Sequence, residues 1–235
     1  MATIYLIRHG QASFGLDDYD KLSELGERQA EHVGYYLRDH GISLDAAYSG
    51  DLKRQQRTAE LVLASQPGAV SHTIDERFNE IRNDEQVEYL APVLMESHPA
   101  LGELLERGLS SSKDYQKVID AVFNHWVSPD CDEPRIQSWA DYSGGARDAL
   151  AEVMRKEGGG KTIGIFTSGG TIATLVAAVL GLESQHVYKF YEPIFNCSVT
   201  QLFYNGDKVS LSYFNDRSFL QYLGLQAGEN LVTYR

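Results

Sequence analysis

The sequence predicts a layered α/β domain, and three observations carry that prediction. Short β-branched or aromatic runs alternate with amphipathic helical stretches along most of the chain, the pattern of strands packed between helices. Three of those runs end in glycine-containing turns: Arg8-His9-Gly10, Ser49-Gly50-Asp51 and Ser168-Gly169-Gly170. Near the end of the chain Asn205-Gly206-Asp207 separates two further runs, a strong hairpin signal. The 235 residues, 43% hydrophobic and 23% charged, match ordinary globular usage and suffice for one large domain or two small ones.

Thr3 to Ile7 reads as a buried strand feeding the Arg8-His9-Gly10 turn. Ser23 caps a helix whose apolar positions recur with helical spacing through Val33 and Leu37 and whose end falls near His40-Gly41. Leu44 to Ser49 is a second strand, followed by a helix from about Leu52 to Ser65, and Val70 to Ile74 is a third strand. From Arg77 to about Trp126 the texture is helical and polar, interrupted at Pro92, Pro99 and Ser110-Ser111-Ser112, which we read as an inserted helical cap over about residues 80–140. Val127 to Gln137 is a loop, and a helix from about Tyr142 to Lys156 ends at three glycines. Thr162 to Thr167 is the clearest buried strand, turned by Ser168-Gly169-Gly170 into the apolar helix Thr171 to Leu180. Ser198 to Tyr204 and Val209 to Phe214 form the hairpin.

The net charge of −12, with no clustered Lys/Arg, argues against a nucleic-acid surface. Cys131 and Cys197 lie far apart and show no metal-ligand spacing, so the expected compartment is the reducing cytoplasm. The first residues carry no basic leader, and the longest apolar stretch, Thr171 to Leu182, falls short of the roughly 20 residues a membrane span needs. No metal motif occurs. Asp17, Asp18 and Asp20 read as a solvated loop, and His32, His40, His72, His98, His125 and His186 as surface or loop positions.

The chemistry collects at strand ends. His9 falls where an open α/β sheet places its ligands, outside the carboxyl ends of its strands. A lone histidine there reads more readily as a core or capping residue, but its companions reverse the odds. Arg8, Arg54 and the glycine-rich helix start at Ser168 each suit a phosphate: arginine offers a planar fork, and a helix start offers unpaired N–H groups. Together they describe an anion pocket in an acidic protein. Arg57 reads as a surface helix position.

At these residues the chain resembles the histidine phosphatase superfamily, the phosphoglycerate mutase-like family, branch 1. The resemblance rests on Leu6-Ile7-Arg8-His9-Gly10-Gln11, Leu22-Ser23-Glu24-Leu25-Gly26 with Gln29-Ala30, and Asp51-Leu52-Lys53-Arg54 with Thr58-Ala59. Arg77-Phe78-Asn79-Glu80-Ile81, the turn at Ser168, Asn196-Cys197-Ser198-Val199 and Phe214-Asn215-Asp216 extend it over nearly the whole chain outside the cap. It implies a three-layer αβα sandwich around a mostly parallel sheet, a single domain over residues 1–235. It also implies that His9 is the nucleophile, that Arg8 and Arg54 hold the phosphoryl oxygens, and that Glu80 is the general acid. Gly10, Gln11, Ser168 and Gly169 are the implied substrate-binding positions, with no cofactor and no metal.

Two positions depart from the family pattern. Ser168 stands where a second histidine is usual, and Gly15 where many members place a phosphate-contacting asparagine. A serine hydroxyl brings no positive charge, and by analogy with loss of one oxyanion donor the expected cost is on the order of 10²–10³ in rate. The expected function is phosphomonoester hydrolysis through phosphohistidine on His9, with a small phosphorylated substrate chosen by the cap. The alternative is a catalytically impaired phospho-ligand or protein-binding module of the same fold. A phosphoglycerate mutase is a lesser alternative, because Ala12 to Tyr19 does not reproduce the longer substrate-binding pattern of those enzymes. Neither nucleic acid nor membrane is an expected partner.

Overall fold

The computed structural model describes residues 1–13, 20–108 and 111–234. Gly15, Asp17 and Asp18 lie outside the described residues. Along the chain run β1 (Ala2–Arg8), α1 (Glu24–Asp39), β2 (Ala46–Ser49), α2 (Lys53–Leu63), β3 (Ser71–Ile74), α3 (Asn83–Ser97), α4 (Pro99–Arg107) and α5 (Ser112–Trp126). There follow α6 (Trp139–Glu157), β4 (Thr162–Thr167), α7 (Gly169–Val179), α8 (Val187–Tyr191), β5 (Val199–Asn205), β6 (Lys208–Asp216) and α9 (Ser218–Ala227).

The strands form one sheet in the order β3-β2-β4-β1-β5-β6, parallel from β3 to β1, with β5 antiparallel to both its neighbours. Alternation along β1 builds the layers. Ile4 and Leu6 enter one apolar cluster with Ile163, Ile165 and the buried faces of α6 and α7. Tyr5 and Ile7 enter the other, with Ala30, Val33 and Leu37 of α1, Ala59 and Val62 of α2 and Leu220 of α9. This is the mixed α/β architecture expected, helices on both faces of a mostly parallel sheet. Leu90 and Leu94 of α3, Leu101 and Leu104 of α4, and Val118 and Phe123 of α5 belong to the first cluster.

Local differences from the sequence reading have local causes. Helix α6 begins three residues earlier than its apolar pattern suggests, because the Ser138 hydroxyl accepts a hydrogen bond from the Asp141 N–H and caps the first turn. Ser111 caps α5 and Ser23 caps α1 in the same way. Pro92 does not interrupt α3, which runs through it; the break comes at His98, before Pro99 opens α4. Helices α8 and α9 carry no polar cap, and α9 is held by burial of Leu220 and Gly224. No helix among the described residues is long and apolar enough to cross a membrane.

Replacing Ser138 with alanine removes the cap of α6 and is expected to lower unfolding stability by about 1 kcal/mol. Denaturant titration checks this as a lower midpoint at unchanged slope.

Candidate active site

The carboxyl ends of the parallel strands β1, β2 and β4 lie side by side, and the turns leaving them carry the site. Arg8 pairs in register with Thr167, the last residue of β4, and the His9 N–H donates to the Thr167 carbonyl at 2.9 Å. The next residue, Gly10, packs directly on α1: a Cβ there would lie 2.3 Å from the Gly26 carbonyl oxygen. Only glycine allows two backbones so close. The Gly10 N–H donates to Thr58 Oγ1 and the Gln11 N–H to Gln29 Oε1. Gln29, fully buried, also donates to the Leu231 carbonyl and to Thr233 Oγ1, which ties the end of the chain to the same turn. From the other side the Cys197 N–H reaches back to the Arg8 carbonyl, with Cys197 at φ 54°.

His9 is buried, and its ring orientation is fixed. Nδ1 donates to the Gly10 carbonyl at 2.7 Å, so the neutral ring carries its lone pair on Nε2. Arg54 Nε donates to that Nε2 at 3.2 Å. Burial, then the charges of Arg54 and Arg8, hold the imidazole pKa well below its usual value. At neutral pH His9 is therefore an uncharged ring whose Nε2 lone pair accepts from Arg54 and is freed for attack when Arg54 turns to a phosphoryl oxygen.

Arg54 reaches His9 from the first turn of α2, and its Nη1 is bonded to Asp20 at 2.7 Å. The other oxygen of Asp20 accepts from the Lys53 N–H at the start of the same helix. Asp20, read from sequence as part of a solvated loop, thus orients Arg54; nothing in the local pattern distinguished it from its neighbours Asp17 and Asp18. Arg8 Nη1 donates to the carbonyls of Ile194 and Tyr234.

Glu80 lines the same cavity. The segment before it is pinned by two buried threonines flanking the Ser168 turn: Thr167 Oγ1 donates to the Phe78 carbonyl at 2.5 Å and Thr171 Oγ1 to the Asn79 carbonyl at 2.6 Å. Glu80 Oε1 accepts from the Ile81 N–H and from the Gly170 N–H in the first turn of α7, both at 2.9 Å. A Cβ on Gly170 would lie 2.4 Å from that oxygen, so glycine is needed for the carboxyl to reach the helix start. Burial raises the Glu80 pKa, opposed by Arg54, the two N–H donors and Arg8.

Arg8, His9, Arg54 and Glu80 line one cavity of about 590 Å³. Gly10, Gln11, Ser168 and Gly169 are not among its lining residues. Gln11 is turned into α1, its Oε1 accepting from Ser23 Oγ. Gly169 lies against the ring of Tyr191. Ser168 is fully buried, and its hydroxyl accepts from Gln55 Nε2 at 2.8 Å. The α7 start expected to meet an anion from outside thus meets the carboxyl of Glu80. Arg57 is on the surface, paired with Glu27 and Glu60. Among the described residues, no histidine besides His9 lines the cavity, and no cluster of His, Cys, Asp and Glu is arranged to hold a metal.

Several lining residues escaped the sequence reading: Asn83 and Asp84 at the start of α3, Tyr191 and Glu192 at the end of α8, Asn196 and Tyr234. Asn196 opens the quoted motif Asn196-Cys197-Ser198-Val199, where it had no assigned role; its Nδ2 donates to the His9 carbonyl at 3.3 Å. Asn83 Nδ2 donates to the Tyr191 hydroxyl, linking the two outer elements.

Comparison with known proteins gives a consistent picture. The histidine phosphatase superfamily (branch 1) matches residues 4–217. A 2,3-bisphosphoglycerate-dependent phosphoglycerate mutase of Allorhizobium ampelinum is 34% identical over 85 residues, which is 33% of this chain and 40% of that protein. A probable phosphoglycerate mutase, GpmB, of Erwinia tasmaniensis is 25% identical over 214 residues, covering 86% of this chain and 85% of that one. Among solved structures, a phosphoserine phosphatase mutant from Entamoeba histolytica in complex with phosphoserine superposes with a TM-score of 0.66 at 20% identity, over 94% of this chain and 100% of that one.

The burial of Glu80 gives a prediction with a definite sign. The folded state favours the protonated, neutral form of Glu80, so above pH 4.5 ionisation of the unfolded chain opposes folding progressively as pH rises through the raised folded value. Glu80→Gln, which cannot ionise, is therefore expected to be more stable than the wild type at neutral pH, with the advantage vanishing below pH 4.5. Thermal unfolding across pH measures it.

Proposed function

Since the chain belongs to the histidine phosphatase superfamily, branch 1, we propose that it hydrolyses phosphomonoesters through a phosphohistidine formed on His9. The observation that carries this reading is the fixed ring of His9: Nδ1 is committed to the Gly10 carbonyl and Nε2 faces Arg54 at the cavity wall. In the proposed reaction the Nε2 lone pair attacks phosphorus in line and the P–O ester bond breaks. The departing oxygen takes a proton from Glu80, whose raised pKa suits an acid at neutral pH. Water then attacks the phosphohistidine and gives its proton to the Glu80 carboxylate. Phosphate leaves, and both side chains return to their starting forms. Arg8 and Arg54 stabilise the equatorial oxygens throughout. The helices α3, α4 and α5 act as the cap that shapes substrate choice.

Ser168 supports the second reading, a phospho-ligand-binding module of weakened catalysis. Its hydroxyl is held by Gln55 away from the cavity lining, so the turn adds no cationic donor. Binding alone, however, needs neither the oriented nucleophile nor the raised-pKa acid. Transfer to a second substrate, as in a mutase, begins with the same adduct and differs only in what accepts the phosphoryl group.

The deciding measurement is mass spectrometry under neutral or basic quench after incubation with p-nitrophenyl phosphate, with released phosphate followed in parallel. A phosphoryl adduct on His9, and release abolished by His9→Ala, is the expected result. Absence of both in folded protein favours the binding module, whereas an adduct passed to an acceptor alcohol instead of water identifies a transferase.

The Gln55 amide packs against the Ser168 hydroxyl. An imidazole there competes for the space of the Gln55 amide, so Ser168→His alone is expected to destabilise the fold. Ser168→His combined with Gln55→Ala is expected to raise turnover by about tenfold or more, the gain of a cationic donor. Steady-state kinetics of the two variants checks this.

A further inference from the structure

The charges on the cavity wall are divided between its two ends. Arg8, Arg54, His9 and Glu80 form the inner end. The outer wall comes from the start of α3, the face of α5 and the end of α8, and it is acidic: Asp84, Glu85 and Glu192 against Arg82. Arg82 is already bonded to Glu85 at 3.3 Å. The remaining two carboxylates have neutral partners: Asp84 accepts from the Tyr115 hydroxyl at 3.4 Å and Glu192 from the Gln116 amide. Among the described residues neither forms an ion pair. Beside them Tyr115, Tyr188 and Tyr191 also line the cavity.

A ligand held at the inner end by its phosphoryl group must extend its organic part along this outer wall, since a cavity of about 590 Å³ is the size that encloses a small molecule. A second phosphate or a carboxylate would meet two uncompensated negative charges and no unengaged arginine. A cation would meet those carboxylates. Hydroxyl groups gain less, because the phenol and amide already bonded to the carboxylates supply the same kind of contact.

We propose that this cavity selects phosphomonoesters whose organic group carries a cationic amine, with Asp84 and Glu192 as the residues that set the preference. The proposal rests on the hydrolase reading for its use in turnover, and on the wall itself for its use in binding.

Three phosphomonoesters of similar size test it: 2-aminoethyl phosphate, glycerol 3-phosphate and 3-phosphoglycerate, with an ammonium, a neutral diol and a carboxylate. The expected order of kcat/KM is ammonium, then diol, then carboxylate, spanning about tenfold or more, which corresponds to about 1.4 kcal/mol. Asp84 and Glu192 are exposed, and exposed charges are screened, so the span is expected to narrow as salt is raised. Asp84→Asn with Glu192→Gln is expected to collapse it to within about twofold. Equal or better use of 3-phosphoglycerate by the wild type, or an unchanged order in the double variant, overturns the proposal. Calorimetric titration of the same three esters into His9→Ala protein reads the ranking without turnover. If no ester, p-nitrophenyl phosphate included, phosphorylates His9, the hydrolase reading fails, and the calorimetric ranking alone then upholds or overturns charge selection.

Discussion

The hydrogen bond from His9 Nδ1 to the Gly10 carbonyl is the contact on which the rest of the site depends. It decides which ring nitrogen keeps its lone pair, and so which atom can attack. That bond exists only because the turn is clamped from three sides. Gly26 presses on Gly10, Gln29 holds Gln11 together with the end of the chain, and Cys197 and Asn196 hold the Arg8 and His9 carbonyls. A buried, fully bonded turn of this kind resists displacement, because moving it would leave several buried polar groups unpaired.

Electrostatics at the inner end are arranged in opposed pairs. Arg54 lies between Asp20 and His9, so its charge is partly balanced while its Nε stays directed at the nucleophile. Glu80 caps the first turn of α7 and so satisfies a helix-start N–H that would otherwise need an anion. The result is a neutral base and a carboxyl biased toward its neutral form within one cavity. Environments that push two titratable groups toward such forms are a recurrent way of dividing nucleophile and acid roles.

The departure at Ser168 is a packing arrangement as much as a missing charge. Gln55 lies one residue beyond Arg54, and its amide spans from the Phe78 carbonyl to the Ser168 hydroxyl, while its Oε1 is buried without a hydrogen-bond partner among the described residues. The small serine and the long glutamine fill that space together. A sequence comparison sees one substituted residue; the structure shows two positions that must change together.

The sequence by itself determined the layers and the elements that carry Arg8, Arg54 and the His9 turn, whereas Glu80, read within the helical stretch from Arg77, lies in the irregular segment before α3. Strand alternation, serine caps and glycine turns are local signals, and each acts over a few residues of chain. Asp20 beside Arg54, Gln55 against Ser168, Glu80 on the start of α7 and the acidic outer wall were decided only by tertiary structure. Each joins residues that lie tens of positions apart in the chain, and a side chain's partner across such a separation is set by how the layers pack, which no local pattern encodes. Gln11 shows the same limit from the other side: it lies two residues from His9, yet its side-chain oxygen accepts from Ser23 at the start of α1.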